Sequence, residues 1–366
     1  MKVKQSGAKY SKITEIGEKV KKLELSTGEK YLRLNQGVNA VCNINLTNVV
    51  SQIDFNSKDI QVYPPMKGRP VLKQAINKYY FGNNANTDNI LVTSGGMSSL
   101  DLVFQSIDVE KIYLPQYFWG SYMNIIKIRN LQGDFYFDFA EIEANMVKYK
   151  NSAVVICDPN NPLGDKFNDD KLINLIERLS NIGVTVIIDS PYRKVFLEED
   201  KLYESVFNLE NVIIVESFSK SIGLSGQRIG FVHSINLELN LELAIKLMYA
   251  SNGVNAFSQV LVEKLFTTKE GLKAIKDFRI TTTTDIYKNI EYLKKKKLIA
   301  EIFYENSQPK GIFTVVNVSE QELLTHKIAS VSLSFFTTIN KEEASKYARI
   351  CVSVPHKELV CFFDKF

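Results

Sequence analysis

The chain has 366 residues, 45% of them apolar and 23% charged, with 45 basic side chains against 41 acidic ones. That length holds one large or two ordinary domains with a sizeable core, and the balance excludes a disordered, collagen-like or coiled-coil chain. The net charge of +4 comes from 37 lysines and eight arginines scattered without a basic stripe, which argues against a nucleic-acid partner.

The first 25 residues carry no apolar core of a signal peptide, and no run is long enough for a membrane span, so no membrane partner is expected. Cys42, Cys157, Cys351 and Cys361 form no CxxC pair and sit mostly in apolar runs, which predicts reduced, buried thiols and a cytoplasmic protein. His233, His326 and His356 are far apart, so neither a metal site nor a Ser-His-Asp triad is expected.

Pro70 to Tyr80 reads as a helix. From about residue 90 to 235, short apolar runs alternate with stretches of helical period. The runs are Ile90 to Thr93, Lys111 to Leu114, Ala153 to Cys157, Val184 to Ile188, Val212 to Val215 and Ile229 to Val232. Asn168 or Asp169 caps a helix with apolar Leu172, Ile173, Ile176 and Leu179, closed by Gly183. Continuous apolar strands between helices predict an α/β domain whose mostly parallel mixed sheet is covered by helices on both faces. Lys269 to Leu298 reads as helix and Gly311 to Val318 and Ala329 to Phe336 as strands, a smaller α+β domain. Lys294 to Lys297 reads as a solvated helix end.

Functional groups of such sheets collect on loops at the carboxyl ends of the strands. Gly95-Gly96-Met97 leads into a helix, where backbone N–H groups can meet a phosphate or simply make a tight turn. Asp158-Pro159-Asn160-Asn161-Pro162-Leu163-Gly164 is a rigid loop that can present the Asn161 amide, and Asp189 ends a strand where it can hold a cationic heteroatom or cap the next segment. In Ser217-Phe218-Ser219-Lys220, a lysine behind a buried strand can be desolvated, which lowers its pKa and favours Schiff-base chemistry. Ser217, Ser219 and Arg228 supply donors for a phosphate beside it.

Together the four loops resemble the fold-type I pyridoxal-phosphate enzymes, in particular the class I and II aminotransferases, and SFSKSIGLSGQRIG is the most specific match. The resemblance runs from about Gly37 to Arg349 and implies pyridoxal 5'-phosphate as cofactor. It implies that Lys220 forms the Schiff base and moves the proton, that Asp189 pairs with the ring nitrogen, and that Tyr192 and Asn161 bond the ring hydroxyl. Ser217, Ser219, Arg228 and the Gly95-Gly96-Met97 backbone would hold the phosphate. Tyr63, in Tyr63-Pro64-Pro65-Met66-Lys67-Gly68, would reach the cofactor phosphate of a neighbouring subunit, which implies a homodimer with shared sites. An aromatic from Pro115 to Tyr122 would lie on the cofactor: Tyr117 by its spacing, with Phe118 or Trp119 as alternatives because the stretch carries an extra residue. Arg349, with Gly37 and Asn161, would bind the substrate α-carboxylate.

By this resemblance the chain divides into a segment 1–45 that packs with the small domain, a cofactor domain 46–265 and a small α+β domain 266–366. The expected reaction is ping-pong transfer of an amino group between an amino acid and a 2-oxo acid. A decarboxylase, lyase or cyclase of the same fold is the alternative. A ligand-sensing regulator is disfavoured, because fewer than 40 residues precede the first match and they show no helix-turn-helix. Leu163 stands where threonine is common and Ser190-Pro191 where glutamate-alanine is usual; these departures either alter the substrate pocket or repack the crevice, with repacking expected.

Overall fold

The computed structural model describes residues 1–198 and 200–366. Its main element is a seven-stranded sheet of β1 (Ile90–Thr93), β2 (Ile112–Pro115), β3 (Gly133–Tyr136), β4 (Ala153–Ile156), β5 (Thr185–Asp189), β6 (Val212–Ser217) and β7 (Gly230–His233). The order is β1-β7-β6-β5-β4-β2-β3, and β7 alone runs antiparallel to its neighbours. The carboxyl ends of β1, β4, β5 and β6 therefore share one edge, where β7 begins.

Side chains alternate between the faces of a strand. Val186 and Ile188 enter one apolar cluster while Ile187 enters another, and Val212/Ile214 against Ile213/Val215 repeat the split. Burying each such side chain on folding contributes about 1.5–3 kcal/mol. This is why the strands read as unbroken apolar runs rather than alternating ones. The helices α1 (Lys12–Thr27), α2 (Pro70–Phe81), α3 (Gly96–Phe104), α4 (Gly120–Ile128) and α5 (Asp169–Asn181) lie in the first half of the chain. Asn168 caps α5 by accepting from the Lys171 N–H at 3.1 Å, as its sequence predicts. Helix α6 spans Lys269–Lys295.

A second sheet, of β8 (Phe313–Val316), β9 (Val331–Ser332) and β10 (Ala348–Cys351), is antiparallel with β10 in the centre. Two expectations need correction, and one strand lies outside the expected set. Strand β3 escapes the apolar pattern because it is an edge strand, half exposed, with the sequence Gly-Asp-Phe-Tyr. The strand expected over Ala329 to Phe336 breaks after Ser332, whose hydroxyl caps the Ser334 N–H and opens a short 3-10 turn at Leu333–Phe336. Of the cysteines, Cys157 and Cys351 are buried, but Cys42 is only partly covered and Cys361 is exposed on a helix at His356–Phe363. Among the described residues no helix is long and apolar enough to cross a membrane.

Candidate active site

Where β1 meets α3, Gly95 turns the chain at φ +86°, a conformation an L side chain rarely adopts. A Cβ there would also lie 2.8 Å from the Arg228 guanidinium. Helix α3 begins without a side-chain cap, so its first-turn N–H groups remain available to an anion, which its dipole favours. Across the turn, the Ser217 hydroxyl donates to Ser219 Oγ at 3.0 Å, and Arg228 Nη1 donates to Ser219 Oγ at 3.2 Å and to the Ser225 carbonyl at 2.9 Å. Gly230, at the start of β7, lets the strands close under this cradle, since a Cβ would sit 2.3 Å from the Glu216 carbonyl.

Asp189 ends β5 and is buried. Burial raises its pKa to about 6, opposed by the Tyr122 hydroxyl, which donates to its Oδ2 at 2.5 Å. Lys220 follows β6 in a single helical turn, and its ammonium donates to the Gly37 carbonyl. Burial pushes its pKa down to about 8, and the charges of Arg228 and Arg349 add to that effect. Asn161 links two functions: its amide donates to the Tyr192 hydroxyl at 3.2 Å, and its carbonyl accepts from Arg349 Nη1 at 3.2 Å.

Arg349 is fully buried in β10. Its guanidinium lies between Phe313 and Phe336, 4.3 and 4.8 Å from the ring centroids. Nη2 donates to the Asn35 carbonyl, and Nε has no hydrogen-bond partner among the described groups. Burial lowers its pKa to about 10, so it remains a cation near neutrality. An unpaired buried N–H costs about 1–3 kcal/mol, which a carboxylate oxygen reaching Nε would recover.

One cavity of about 380 Å³ is lined by Gly37, Gly96, Met97, Asn161, Asp189, Tyr192, Ser217, Ser219, Lys220, Arg228 and Arg349. It therefore brings together the sequence-predicted residues of the cradle, the ring and the carboxylate grip, with Gly95 directly behind Arg228. Pyridoxal phosphate fits this donor set: an uncapped helix start with two hydroxyls and an arginine for its phosphate, a carboxyl for its ring nitrogen, and an amine for its aldehyde.

Two candidates lie elsewhere. The choice of Tyr117 is corrected: its ring packs edge-on against Phe303 at 5.4 Å and lines a separate cavity, while Trp119 lines the site. The cause is local, because the Asn160 amide donates to the Tyr117 carbonyl, the Phe118 N–H is tied to the Phe336 carbonyl, and Trp119 then stands at the start of α4. Tyr63 is 82% exposed and lines a surface cavity with Ser251 to Ala256. Of the two substitutions, Leu163 packs into an apolar cluster outside the site, whereas Pro191 lines the site itself.

Sequence reasoning assigned no role to Tyr122, Phe313, Phe336 or Asn35. Tyr122 stands in the quoted aromatic stretch and Phe313 and Phe336 in the expected strands, but only the packing of distant elements places them beside Asp189 and Arg349.

A family model described as aminotransferase class I and II matches residues 29–365. An aspartate aminotransferase of Pyrococcus horikoshii is 24% identical over 288 residues, covering 73% of this chain and 71% of the relative. A histidinol-phosphate aminotransferase of Brachyspira hyodysenteriae is 27% identical over 297 residues, covering 75% and 80%. Among solved structures, the aspartate aminotransferase of Thermus thermophilus with maleate superposes with a TM-score of 0.84 at 16% identity, over 100% of this chain and 99% of that one, which establishes the shared fold.

Proposed function

Since the chain belongs to the class I and II aminotransferases, a family of pyridoxal-phosphate enzymes, we propose that it moves an amino group between an amino acid with a free α-carboxylate and a 2-oxo acid, with Lys220 as the reacting amine. The observation that carries this is the presence of Lys220, Asp189 and Arg349 on the walls of one cavity. The bound cofactor supplies an aldehyde that condenses with amines and a pyridinium ring that draws electrons from the substrate α-carbon.

The protein's own groups then have distinct tasks. Gly95, Gly96, Met97, Ser217, Ser219 and Arg228 hold the phosphate, and Tyr192 and Asn161 hold the ring hydroxyl. Asp189, as a carboxylate, keeps the ring nitrogen protonated. Lys220, with its pKa lowered to about 8, has a useful neutral fraction at neutral pH, so it can take a proton from the α-carbon and return it as an acid. Arg349 fixes the α-carboxylate and thereby the orientation of the bond to be broken. Tyr63, exposed on one chain, serves the neighbouring site of a homodimer. Residues 46–265 act as the cofactor domain, with 1–45 and 266–366 carrying the substrate side.

The cavity is also lined by the uncharged Ile13, Thr14, Gln36 and Val38, and Lys220, Arg228 and Arg349 are the cationic side chains lining it among the described residues. All three have tasks in this reading, so we expect donors with uncharged side chains to outperform aspartate. The test is a screen of single amino acids against the holoenzyme without an acceptor. Release of one 2-oxo acid per site, without carbon dioxide or ammonia, supports transamination. Carbon dioxide overturns it in favour of a decarboxylase, and ammonia in favour of a lyase.

A further inference from the structure

Among the described residues, the Tyr122 hydroxyl makes the one hydrogen bond to the Asp189 side chain. Tyr122 lies in the first turn of α4, with its N–H bonded to the Trp119 carbonyl at 3.0 Å. Its ring is wedged edge-on to Trp119 at 5.6 Å and beside Phe104 at 6.5 Å, so the hydroxyl has a fixed direction. Burial, and then the charge of Asp189, hold the phenol well above its ordinary pKa, so it remains a donor.

Lys220, Arg228 and Arg349 line the same cavity but do not hold the Asp189 pKa down, and the other titratable groups facing Asp189 are not cationic. They are Cys157 just after β4, Tyr192 in the turn after β5 and Glu216 on β6, and Glu216 is itself pushed up to about 8 by burial. Desolvation therefore favours the neutral acid at Asp189, and one hydrogen bond opposes it. We propose that Tyr122 is a positioning residue that turns Asp189 toward the cofactor ring nitrogen and keeps it ionised, so that the site is already charged before the cofactor arrives. This rests on the ring-nitrogen role given to Asp189 above.

The test uses the apo-protein. Trp119, the single tryptophan of the chain, lines the cavity, so quenching of its fluorescence reports binding of pyridoxal phosphate without turnover. Affinity is measured from mildly acidic to mildly alkaline pH. As pH falls through the Asp189 pKa the carboxylate is lost and binding weakens. Removing a hydrogen bond to a charged group raises that pKa, so in Tyr122→Phe the weakening should move up by about one to two pH units. At neutral pH the ionised fraction of Asp189 then drops from about nine-tenths to between about one-half and one-tenth, so the affinity should fall by roughly twofold to tenfold. In an Asp189→Asn background, adding Tyr122→Phe should change nothing further. A Tyr122→His chain, which retains a donor, should recover part of the shift and serves if the first variant folds poorly.

An unchanged midpoint in Tyr122→Phe, or an effect of equal size in the Asp189→Asn background, overturns the proposal and leaves Tyr122 as packing. If Asp189→Asn itself binds the cofactor as well as the unaltered protein at every pH, the role of Asp189 fails instead.

Discussion

Replacing Arg349 by lysine keeps the charge and removes the planar fork. The guanidinium is stacked between Phe313 and Phe336, and it divides its donors among Asn161, Asn35 and an unpartnered Nε. An ammonium on a flexible stem can neither fill that slot nor present two parallel donors to a carboxylate. Losing one of two charge-assisted hydrogen bonds costs about 1.5–3 kcal/mol, and a desolvated cation–π contact is worth about 2 kcal/mol. The stacking is present before and after binding, so only the hydrogen-bond loss falls fully on substrate recognition. At 1.4 kcal/mol per tenfold, kcat/KM for an α-amino acid should fall by roughly tenfold to a hundredfold or more in Arg349→Lys. The assay compares that amino acid with the corresponding amine lacking the carboxylate, with thermal unfolding measured alongside. The amine should react poorly with both proteins and to the same extent. If the two substrates lose equally while the fold is intact, Arg349 is not the carboxylate grip.

Other outcomes follow from the same geometry. After borohydride reduction of the holoenzyme, the cofactor should stay attached to the unaltered chain and be absent from Lys220→Ala, as read by mass spectrometry; attachment elsewhere refutes the role of Lys220. The folded pKa of Lys220, about 8, lies below the ordinary lysine value of 10.5, so between those values the unfolded chain binds more protons. Stability of the apo-protein should therefore rise with pH across that window, and Lys220→Met should flatten the rise, as measured by urea unfolding. Sedimentation should give a dimer. Mixing Tyr63→Ala chains, which should bind cofactor weakly, with Lys220→Ala chains should regain one intact site per hybrid; no recovery in a proven hybrid argues against a shared site.

The fold was legible wherever burial on both faces left a continuous apolar run, as at Val184 to Ile188, and it failed at the edge strand Gly133–Tyr136, where one side faces water. The site was legible where one loop carries a whole function, as in Ser217 to Arg228. Trp119 and Tyr122 were harder to place, because the turn before α4 decides which aromatic ring enters the cavity, and that turn is held by Asn160 and Phe336 from distant parts of the chain. The support of Arg349 was hidden for a related reason: Phe313, Phe336 and Asn35 meet it only through the pairing of β8 and β9 with β10 and the approach of the N-terminal segment.

Asn35 deserves to be seen as a joint. It is fully buried, its carbonyl accepts from Arg349, and its amide donates to the Ile13 carbonyl at 3.2 Å in α1. The start of the chain is thus tied mechanically to the residue proposed to hold the substrate, while the phosphate cradle hangs on a different sheet. Shortening or fusing the first helix should therefore disturb which acids the enzyme accepts long before it disturbs how firmly the cofactor is held.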